Sequence, residues 1–576
     1  MRHFLLIFAL LIAPVAALAQ SQEEQDKGYL AQLIEDNLSG AGRQVNIIGF
    51  AGALSSEATI DRLTIADTDG VWLTLEGIVL TWSRAALLRG QIDVQELSAA
   101  RIVVARAPVT QASAGPAPEA QPFSLPELPV GISIDKLNID RIELSDVFLG
   151  EPIAIRLSGS AQLADGQGAA NVLAQRLDGK AGAFELIGSY ANETQLLGLS
   201  LKLEEGPDGI AARLLDLPGR PAVRLEIAGT APTDSYAATL AVATDGQDRL
   251  NGTFGITTTD AGRRIQLDLG GDVSPLFAPE YQAFFGTSAS LTAEALLADD
   301  GRIDISELEL QAQRLNLSGA IRVGAQGWPT LIRLTGGINA ADGVSVLLPL
   351  TGPKTFVDGA SLAINYDTSQ SDDWQADITV RGLQRPGLGI GTITAQGGGI
   401  LQPGEGDLIG QVTANLRYGA TGVQLDDAAV SRAFGNAVTG EFVARRVEGA
   451  PIRISRFTLN GAGLNARAEA TIDGPKSGLR TQATANVTVA GLDRFSTLVG
   501  QDLGGAAEIA IRADLTPLDG LFNIVLNGTT RDLSVGMAQA DAVLAGAGRV
   551  TAAPPQARPP IPRFAAPASQ PRPRDR

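Results

Sequence analysis

The sequence predicts an all-β protein: an elongated, curved and twisted sheet that forms an open apolar groove, with a few short helices. Three observations support this fold class. Glycine is abundant, with 66 residues among 576. Apolar and polar residues alternate in segments such as 223–227 and 265–269, the period of a strand with one buried face. Asp-Gly pairs, which favour tight turns, separate several of these segments.

A second pattern, apolar-x-apolar-x-x-apolar-x-apolar, begins at Ile92, Val94 and Leu97. A flat strand would turn its apolar side chains to the other face at each double spacer. A β-bulge absorbs one residue, keeps the face constant and increases twist. A β-solenoid is the alternative for a five-residue step, but each run lasts only two or three steps. The recurrences give the predicted groove-lining residues, which are Ile132, Ile134, Leu137, Ile139, Ile142, Leu144, Ile303, Ile305, Leu308, Leu310, Ile452, Ile454, Phe457 and Leu459.

Local signals define other elements. The alternation at 71–75 resumes one step out of phase after Gly77, which two strands or one bulged strand would explain. Residues 83–89 predict one helical turn, stopped by Gly90. Five Leu-Ser-Gly or Leu-Asn-Gly triplets, at 157–159, 250–252, 317–319, 459–461 and 526–528, predict a common strand exit with positive φ. Residues 274–286 and 492–500 predict short helices that plug a local core, or alternatively contact acyl chains or a client.

A family resemblance is carried by residues 43–106, which contain GFAGALSSEATIDRLTIADTDGVWLTLEGIVLTWSRAALLRGQIDVQELSAARI. This stretch resembles the N-terminal region of the TamB family, the inner-membrane subunits of the translocation and assembly module. LPGRPAVRLEIAG at 217–229, DVSPLFAPEYQAFFG at 272–286 and LDRFSTLVGQDLGGAA at 492–507 extend the resemblance over about residues 1–548. It implies a β-groove protein of the AsmA-like, bridge-like lipid-transfer kind. The family is linked to phospholipid traffic and to autotransporter assembly with an outer-membrane TamA-type partner.

The predicted organisation begins with a targeting segment at 1–19. Arg2 and His3 precede an apolar run and an A-x-A site at 17–19, which favours a cleaved signal peptide. The resemblance implies instead a retained anchor, which would attach a periplasmic protein of the cell envelope to the inner membrane. An amphipathic helix at 20–40, a first β-module at 41–106, a Pro-rich linker at 107–130 and a repetitive β-groove at 131–548 follow. The helix would cap the sheet or, less well given its acidic polar face, lie on a membrane.

Residues 549–576 predict a disordered tail, since eight prolines and five arginines follow Val550. TamB chains continue into a C-terminal β-domain that meets the outer-membrane partner, and no such domain is recognisable here. We therefore expect no stable complex with a TamA-type protein. A truncated or frameshifted product and a natural basic tail both remain open.

The residue types argue against an enzyme. The only histidine is His3, in the targeting segment, and cysteine is absent, so no catalytic dyad, metal site or cofactor site is predicted. Paired carboxylates as in polysaccharide hydrolases are an alternative, but four tryptophans and six tyrosines offer no sugar-stacking platform. A net charge of −18 argues against nucleic acid as a partner.

Two functions follow from these features. In the first, the groove carries phospholipid acyl chains, shielding each methylene from water. In the second, the sheet is a structural scaffold whose edges receive strands of client outer-membrane proteins. A surface β-solenoid adhesin is a weaker third alternative.

Overall fold

The computed structural model describes residues 44–52, 55–109, 124–126, 128, 130–340, 343–404, 409–474 and 477–552. The chain divides into two compact units, Met1–Ala325 and Gln326–Arg576. Both are all-β with a few short helices, as the sequence predicts. No helix in these ranges is long and apolar enough to cross a membrane. The predicted targeting segment and the helix at 20–40 lie outside the described residues.

The first unit contains sixteen described strands: β1 Gln44–Ile48, β2 Glu57–Asp67, β3 Gly70–Ser83, β4 Gln91–Val104, β5 Gly131–Leu144, β6 Ile153–Ala164, β7 Gln167–Arg176, β8 Gly182–Ala191, β9 Leu196–Glu205, β10 Val223–Pro232, β11 Ser235–Thr244, β12 Gln247–Thr259, β13 Gly262–Gly271, β14 Ala289–Ala298, β15 Ile303–Gln311 and β16 Leu315–Val323. Successive strands pair antiparallel, except that β4 and β5 pair in parallel. The helical pieces are Arg84–Leu87, Asp146–Leu149, Ile210–Leu214, Ser274–Leu276, Pro279–Tyr281 and Gln282–Phe285.

The second unit contains fifteen described strands: β17 Pro329–Asn339, β18 Val346–Leu347, β19 Phe356–Val357, β20 Gly359–Asp367, β21 Ser371–Arg385, β22 Leu388–Pro403, β23 Ile409–Thr421, β24 Gln424–Leu425, β25 Ala437–Val447, β26 Ile452–Gly461, β27 Leu464–Ile472, β28 Thr481–Val489, β29 Gly504–Thr516, β30 Leu521–Ser534 and β31 Ala547–Ala552. The long strands form an antiparallel meander, and the two-residue strands β18, β19 and β24 lie in its connections. The helical pieces are Ala428–Phe434, Leu492–Phe495, Ser496–Val499, Pro517–Asp519 and Ala538–Leu544.

The predicted bulges are present. In β5 the register with β6 shifts between Ile134 and Leu137 and again between Ile139 and Ile142. In β15 it shifts after Ile305, and β26 shows the same shift between Ile454 and Phe457. Each double spacer is therefore one extra residue absorbed in the strand. The antiparallel pairing of successive strands does not match the β-solenoid alternative, which stacks parallel strands.

The region around Gly77 forms a single strand. Gly77 lies within β3 with φ of +62°. The residues before and after Gly77 keep a constant register with both neighbouring strands. Glu76 and Ile78 pair with Arg62 and Ile60 on β2, and with Arg101 and Ala99 on β4. The predicted helical turn is the helix Arg84–Leu87.

The predicted strand-exit role of the Leu-Ser/Asn-Gly triplets is wrong for four of the five. Only Gly461 ends a strand, whereas Gly159, Gly252, Gly319 and Gly528 lie inside β6, β12, β16 and β30. At Gly159 a β-carbon would collide with the carbonyl oxygen of Asn171 on the neighbouring strand. Glycine is needed there for close approach of two backbones rather than for a turn.

Two predicted segments, the linker and the C-terminal tail, can be compared with the bounds of the strands. The linker at 107–130, much of it outside the described residues, joins the parallel pair β4 and β5, so the first β-module and the following strands share one sheet. At the other end, β31 extends to Ala552 and so includes the first four residues of the predicted tail. Residues 553–576 lie outside the described residues.

Candidate functional site

In the parallel pair β4–β5, the apolar residues of the two strands are aligned one to one and form part of a continuous apolar face. Every apolar residue of the repeated pattern in β4 is the register partner of its counterpart in β5, beginning with Ile92 beside Ile132 and Val94 beside Ile134. The double spacers of the two strands therefore lie side by side. On the other side of β5, the predicted residues face Ile153, Ile155, Leu157, Gly159, Ala161 and Leu163 of β6.

This apolar face continues across the first unit. Residues directly opposite each other on paired strands share a face, so register pairs can be followed from strand to strand. One such row, from β5 to β16, consists of Leu137, Gly159, Val172, Leu186, Leu201, Ile227, Leu240, Gly252, Leu269, Leu291, Leu310 and Leu317. The row contains only aliphatic residues and glycine.

The second unit has an apolar face of the same kind. One row, from β17 to β30, consists of Leu334, Ile364, Ala376, Gly397, Leu416, Phe442, Phe457, Ala468, Ala485, Ile511 and Leu526. Of the predicted lining residues, Ile452, Ile454, Phe457 and Leu459 lie on this face, and the other ten lie on the face of the first unit.

The apolar faces are only partly covered. Twelve of the fourteen predicted lining residues are half-buried, and Ile303 and Ile452 are each 39% exposed. Buried clusters form locally: Ile132 and Ile134 pack against Trp82, Ile92 and Val94, and Leu459 packs against Leu464, Val489 and Ala507. The predicted residues are therefore neither fully buried core nor free surface, and they line a partly open aliphatic surface.

Several helical connections lie along one edge of each face. In the first unit the links after β5, β9 and β13 emerge on the same edge because strand direction alternates. There Leu276 packs with Ala212, Leu217 and Val223. In the second unit Leu492 and Phe495 pack with Leu464, Val489 and Ala507. The helical plugs predicted from sequence therefore cover the ends of apolar rows, and some of their residues remain outside: Leu498 is 46% and Val499 55% exposed.

A group of charged residues occupies the same edge of the first unit, and we call it the rim cluster. It consists of Glu151, Arg176, Asp178, Lys180, Asp208, Arg213 and Arg220. Glu151 is its centre, with Arg176 Nη2 at 3.0 Å, Lys180 Nζ at 2.9 Å and Arg213 Nη2 at 2.6 Å. Burial acts to raise the pKa of Glu151, but hydrogen bonds from Lys180 and Arg176 and the charge of Arg213 outweigh it and hold that pKa below its ordinary value.

The polar faces carry shallow depressions. In the second unit one lies over β26–β30 and is lined by Arg453, Glu469, Gln482, Arg512 and Asp514, among others. Arg480 pairs with Asp514 at 2.7 Å at this depression. Of the predicted lining residues only Ile454 borders it, so the depression and the aliphatic rows belong to opposite faces.

The described residues contain no group of three or more His, Asp or Glu arranged to hold a metal ion. No protein-family model, curated protein or solved structure matches the chain. The resemblance to the TamB family thus rests on the sequence segments quoted above.

Two features of this surface do not follow from the sequence. The parallel pairing of β4 with β5 cannot be read from their shared pattern, because a pattern does not reveal which strands are neighbours. The rim cluster cannot be read from it either, because its residues come from three separate parts of the chain. No local signal links Glu151 to Lys180 and Arg213.

Proposed function

We propose that this chain is a non-enzymatic lipid-carrying protein of the bacterial cell envelope, in which phospholipid acyl chains lie on the apolar sheet faces. The observation that supports this most directly is the continuous row of aliphatic residues and glycines from Leu137 to Leu317, which is only partly shielded from solvent. Each methylene that such a face shields from water gains about 0.8 kcal/mol. A continuous row lets a chain move from strand to strand without losing this contact.

The resemblance to the TamB family supports the same proposal and suggests the setting. It points to a periplasmic protein attached to the inner membrane, acting in outer-membrane biogenesis. A TamA-type partner belongs to this proposal as a family expectation only.

A detergent-free preparation tests the proposal. Lipid extraction followed by mass spectrometry should find phospholipid bound to the purified chain. Replacing Ile305 and Leu310 with Asp places charges on the apolar face, where an unpaired charge is costly, and should abolish lipid retention. The matched control adds the same charges to the polar face of the same hairpin, with Ser306→Asp and Asn316→Asp, and should retain lipid.

Circular dichroism checks that the variants keep their strands, and the single change Ile305→Asn supplies a milder version. Lipid retained by folded Ile305→Asp/Leu310→Asp protein at the level of the control would refute the proposal.

The scaffold function is a second candidate, favoured by β30. In the described chain β31 pairs only with residues 526–531, and Phe522 in the remaining part of β30 is 74% exposed. An incompletely paired strand edge can receive an added strand. A lipid-free preparation that binds a peptide copied from an outer-membrane strand, and loses that binding with Asn523→Pro, would favour this function.

A further inference from the structure

The rim cluster adjoins the end of an apolar row. Arg176 on β7 is the register partner of Ile155, which is itself the partner of Ile142. The row therefore passes from two isoleucines directly to a guanidinium group. The aliphatic stem of Arg176 lies over Gly182, where an added β-carbon would come within 2.6 Å of Arg176 Cδ. The missing side chain of Gly182 thus makes room for a cation at the edge of an aliphatic surface.

On the next strand, β9, the register partner of Gly182 is Glu205, which is buried. Its carboxylate accepts hydrogen bonds from the backbone N–H groups of Ile210 at 3.1 Å and Ala211 at 2.7 Å. These bonds fix the start of the helix Ile210–Leu214. The helix in turn carries Arg213 to Glu151, so the fold holds two arginines against one carboxylate.

The balance of charge in the rim cluster is positive. Among its ion-paired residues, four cations face three carboxylates, in a chain whose net charge is −18. The neighbouring Glu205 is held by backbone N–H groups and is not counted here. Arg176, Lys180 and Arg213 all contact Glu151, while Arg176 also pairs with Asp178 and Lys180 with Asp208. The cluster can therefore take one more anionic group without becoming negative.

One donor group in the rim cluster also lacks an acceptor. The Arg176 side chain is only 4% exposed, and its Nη1 is buried with no hydrogen-bond partner among the described residues. Arg213 Nη2, in contrast, forms an ion pair with Glu151 at 2.6 Å. Buried N–H groups of charged side chains without acceptors are costly, and an anionic oxygen would relieve that cost.

We propose that the rim cluster binds the phosphate group of a phospholipid whose acyl chains lie on the adjoining apolar row. This inference rests on the proposed lipid-carrying function and extends it to a headgroup site. The phosphate oxygens would accept from Arg176, Arg213 and Lys180, while the chains contact Ile142 and Ile155. Free inorganic phosphate shares this chemistry, so the experiment compares the two sources.

Binding of three probes to the full chain tests the inference: a short-chain phosphatidylglycerol, the diacylglycerol with the same chains, and inorganic phosphate. Arg213→Gln and Lys180→Gln should each weaken phosphatidylglycerol binding about tenfold, the typical effect of losing one hydrogen bond to a charged group. Diacylglycerol binding should not change. Glu151→Gln removes a competing carboxylate and should tighten phosphatidylglycerol binding, an effect that a purely structural cluster would not produce.

Lys202→Gln is the matched control, because Lys202 lies on the polar face of β9 and pairs with Glu204 at 3.2 Å. It should leave all three affinities unchanged. Since Lys180 is 32% exposed, Lys180→Gln should fold even if Arg213→Gln does not.

Unchanged phosphatidylglycerol binding in folded Lys180→Gln protein would overturn the inference and leave the lipid-carrying function standing. Inorganic phosphate that binds as tightly as phosphatidylglycerol would also overturn it, since the ligand would then be a free anion. If the unmodified chain binds neither lipid, the proposed function itself fails.

Discussion

Arg101 Nη2 lies 2.6 Å from Glu143 Oε2, across the parallel strand pair β4–β5. The contact belongs to a ladder on the polar face that crosses four strands. Arg101 also reaches Glu76 at 3.4 Å, Arg62 reaches Glu76 at 3.0 Å, and Arg141 reaches Glu143 at 2.6 Å. The ladder lies at the level of the double spacers whose apolar residues occupy the opposite face. It therefore favours the register that keeps that face continuous.

The ladder predicts loss of stability in acid. Hydrogen bonds from Arg101 and then Arg141 hold the pKa of Glu143 below its ordinary value of 4.5, with burial acting in the opposite direction. A carboxyl whose pKa is lower in the folded state stabilises the fold above its ordinary pKa, and this contribution is lost as pH falls through the folded-state value. We expect the thermal unfolding midpoint of the first unit to decrease as the pH is lowered below about 4.5.

Glu143→Gln provides the comparison for this pH effect. The variant should be less stable than the unmodified chain at pH 7 and should approach it in acid, because its side chain does not titrate. Thermal unfolding followed by circular dichroism over this pH range measures the difference. A difference between the two proteins that does not depend on pH would contradict the assignment.

The double spacer in β5 predicts the effect of a single deletion. Removing Lys136 leaves one residue between Ile134 and Leu137, so regular alternation keeps the apolar face of β5 without a bulge. β4 still has two residues between Val94 and Leu97, so the parallel pairing of β4 with β5 loses its register on one side of the spacer. We expect this mismatch to cost about 1–3 kcal/mol, within the range of single changes that disturb packing. Denaturant unfolding gives this value, and hydrogen exchange should localise the loss to β4–β6.

Lys136→Ala is the matched control for that deletion. It removes the side chain and its 2.9 Å pair with Glu96 but keeps the residue count. Since Lys136 is 61% exposed, the change should stay within about 1 kcal/mol. Equal destabilisation by the substitution and the deletion would show that the spacer length is irrelevant.

A repeated side-chain arrangement in the second unit predicts a coupled pair. Tyr418 Oη donates to the carbonyl oxygen of Thr458 at 2.7 Å, and Thr458 Oγ1 accepts from the N–H of Glu441 at 2.9 Å. Tyr418 reaches this carbonyl over Gly440, where a β-carbon would collide with the ring. Trp374, Gly399 and Thr413 repeat the arrangement, with Ile400 as the donor to the threonine hydroxyl.

Tyr418→Phe should therefore cost about 1 kcal/mol, and Thr458→Val about 1–3 kcal/mol because the Glu441 N–H loses its acceptor. Their combination should be non-additive, since the two bonds share Thr458. Thr439→Val, at an exposed position on the polar face of β25, should change stability by less than about 0.5 kcal/mol. Strict additivity of the first two changes in a double-mutant cycle would show that the arrangement is not a unit.

The sequence was informative wherever a pattern is local. The bulges after Ile134, Ile305 and Ile454 follow from spacing alone, because one extra residue must be absorbed if the apolar face is to persist. The Leu-Ser-Gly triplets misled because a glycine required by a neighbouring backbone looks the same in sequence as a glycine required by a turn. Gly159 is such a case: its constraint comes from Asn171 on the next strand.

Long-range features were out of reach for a different reason. The β4–β5 pairing and the rim cluster depend on which elements become neighbours, and each rests on pairwise contacts between distant positions. Arg176, for example, belongs to a residue type that is usually exposed, yet its side chain is nearly buried because Gly182 beside it lacks a side chain.

The helical connection at 492–499 can be tested for two roles, plugging the local core and contacting acyl chains at the rim, because different residues of this segment would serve each role. Phe495 packs with Leu464 and Val489, whereas Val499 is 55% exposed. Phe495→Ala should therefore destabilise the second unit by about 2–3 kcal/mol, somewhat less than for a fully buried phenylalanine. Val499→Ser should change stability by less than about 0.5 kcal/mol. If the segment only plugs the core, Val499→Ser protein should also retain lipid like the unmodified chain. Reduced lipid retention with unchanged unfolding would instead identify Val499 as a contact for acyl chains at the rim.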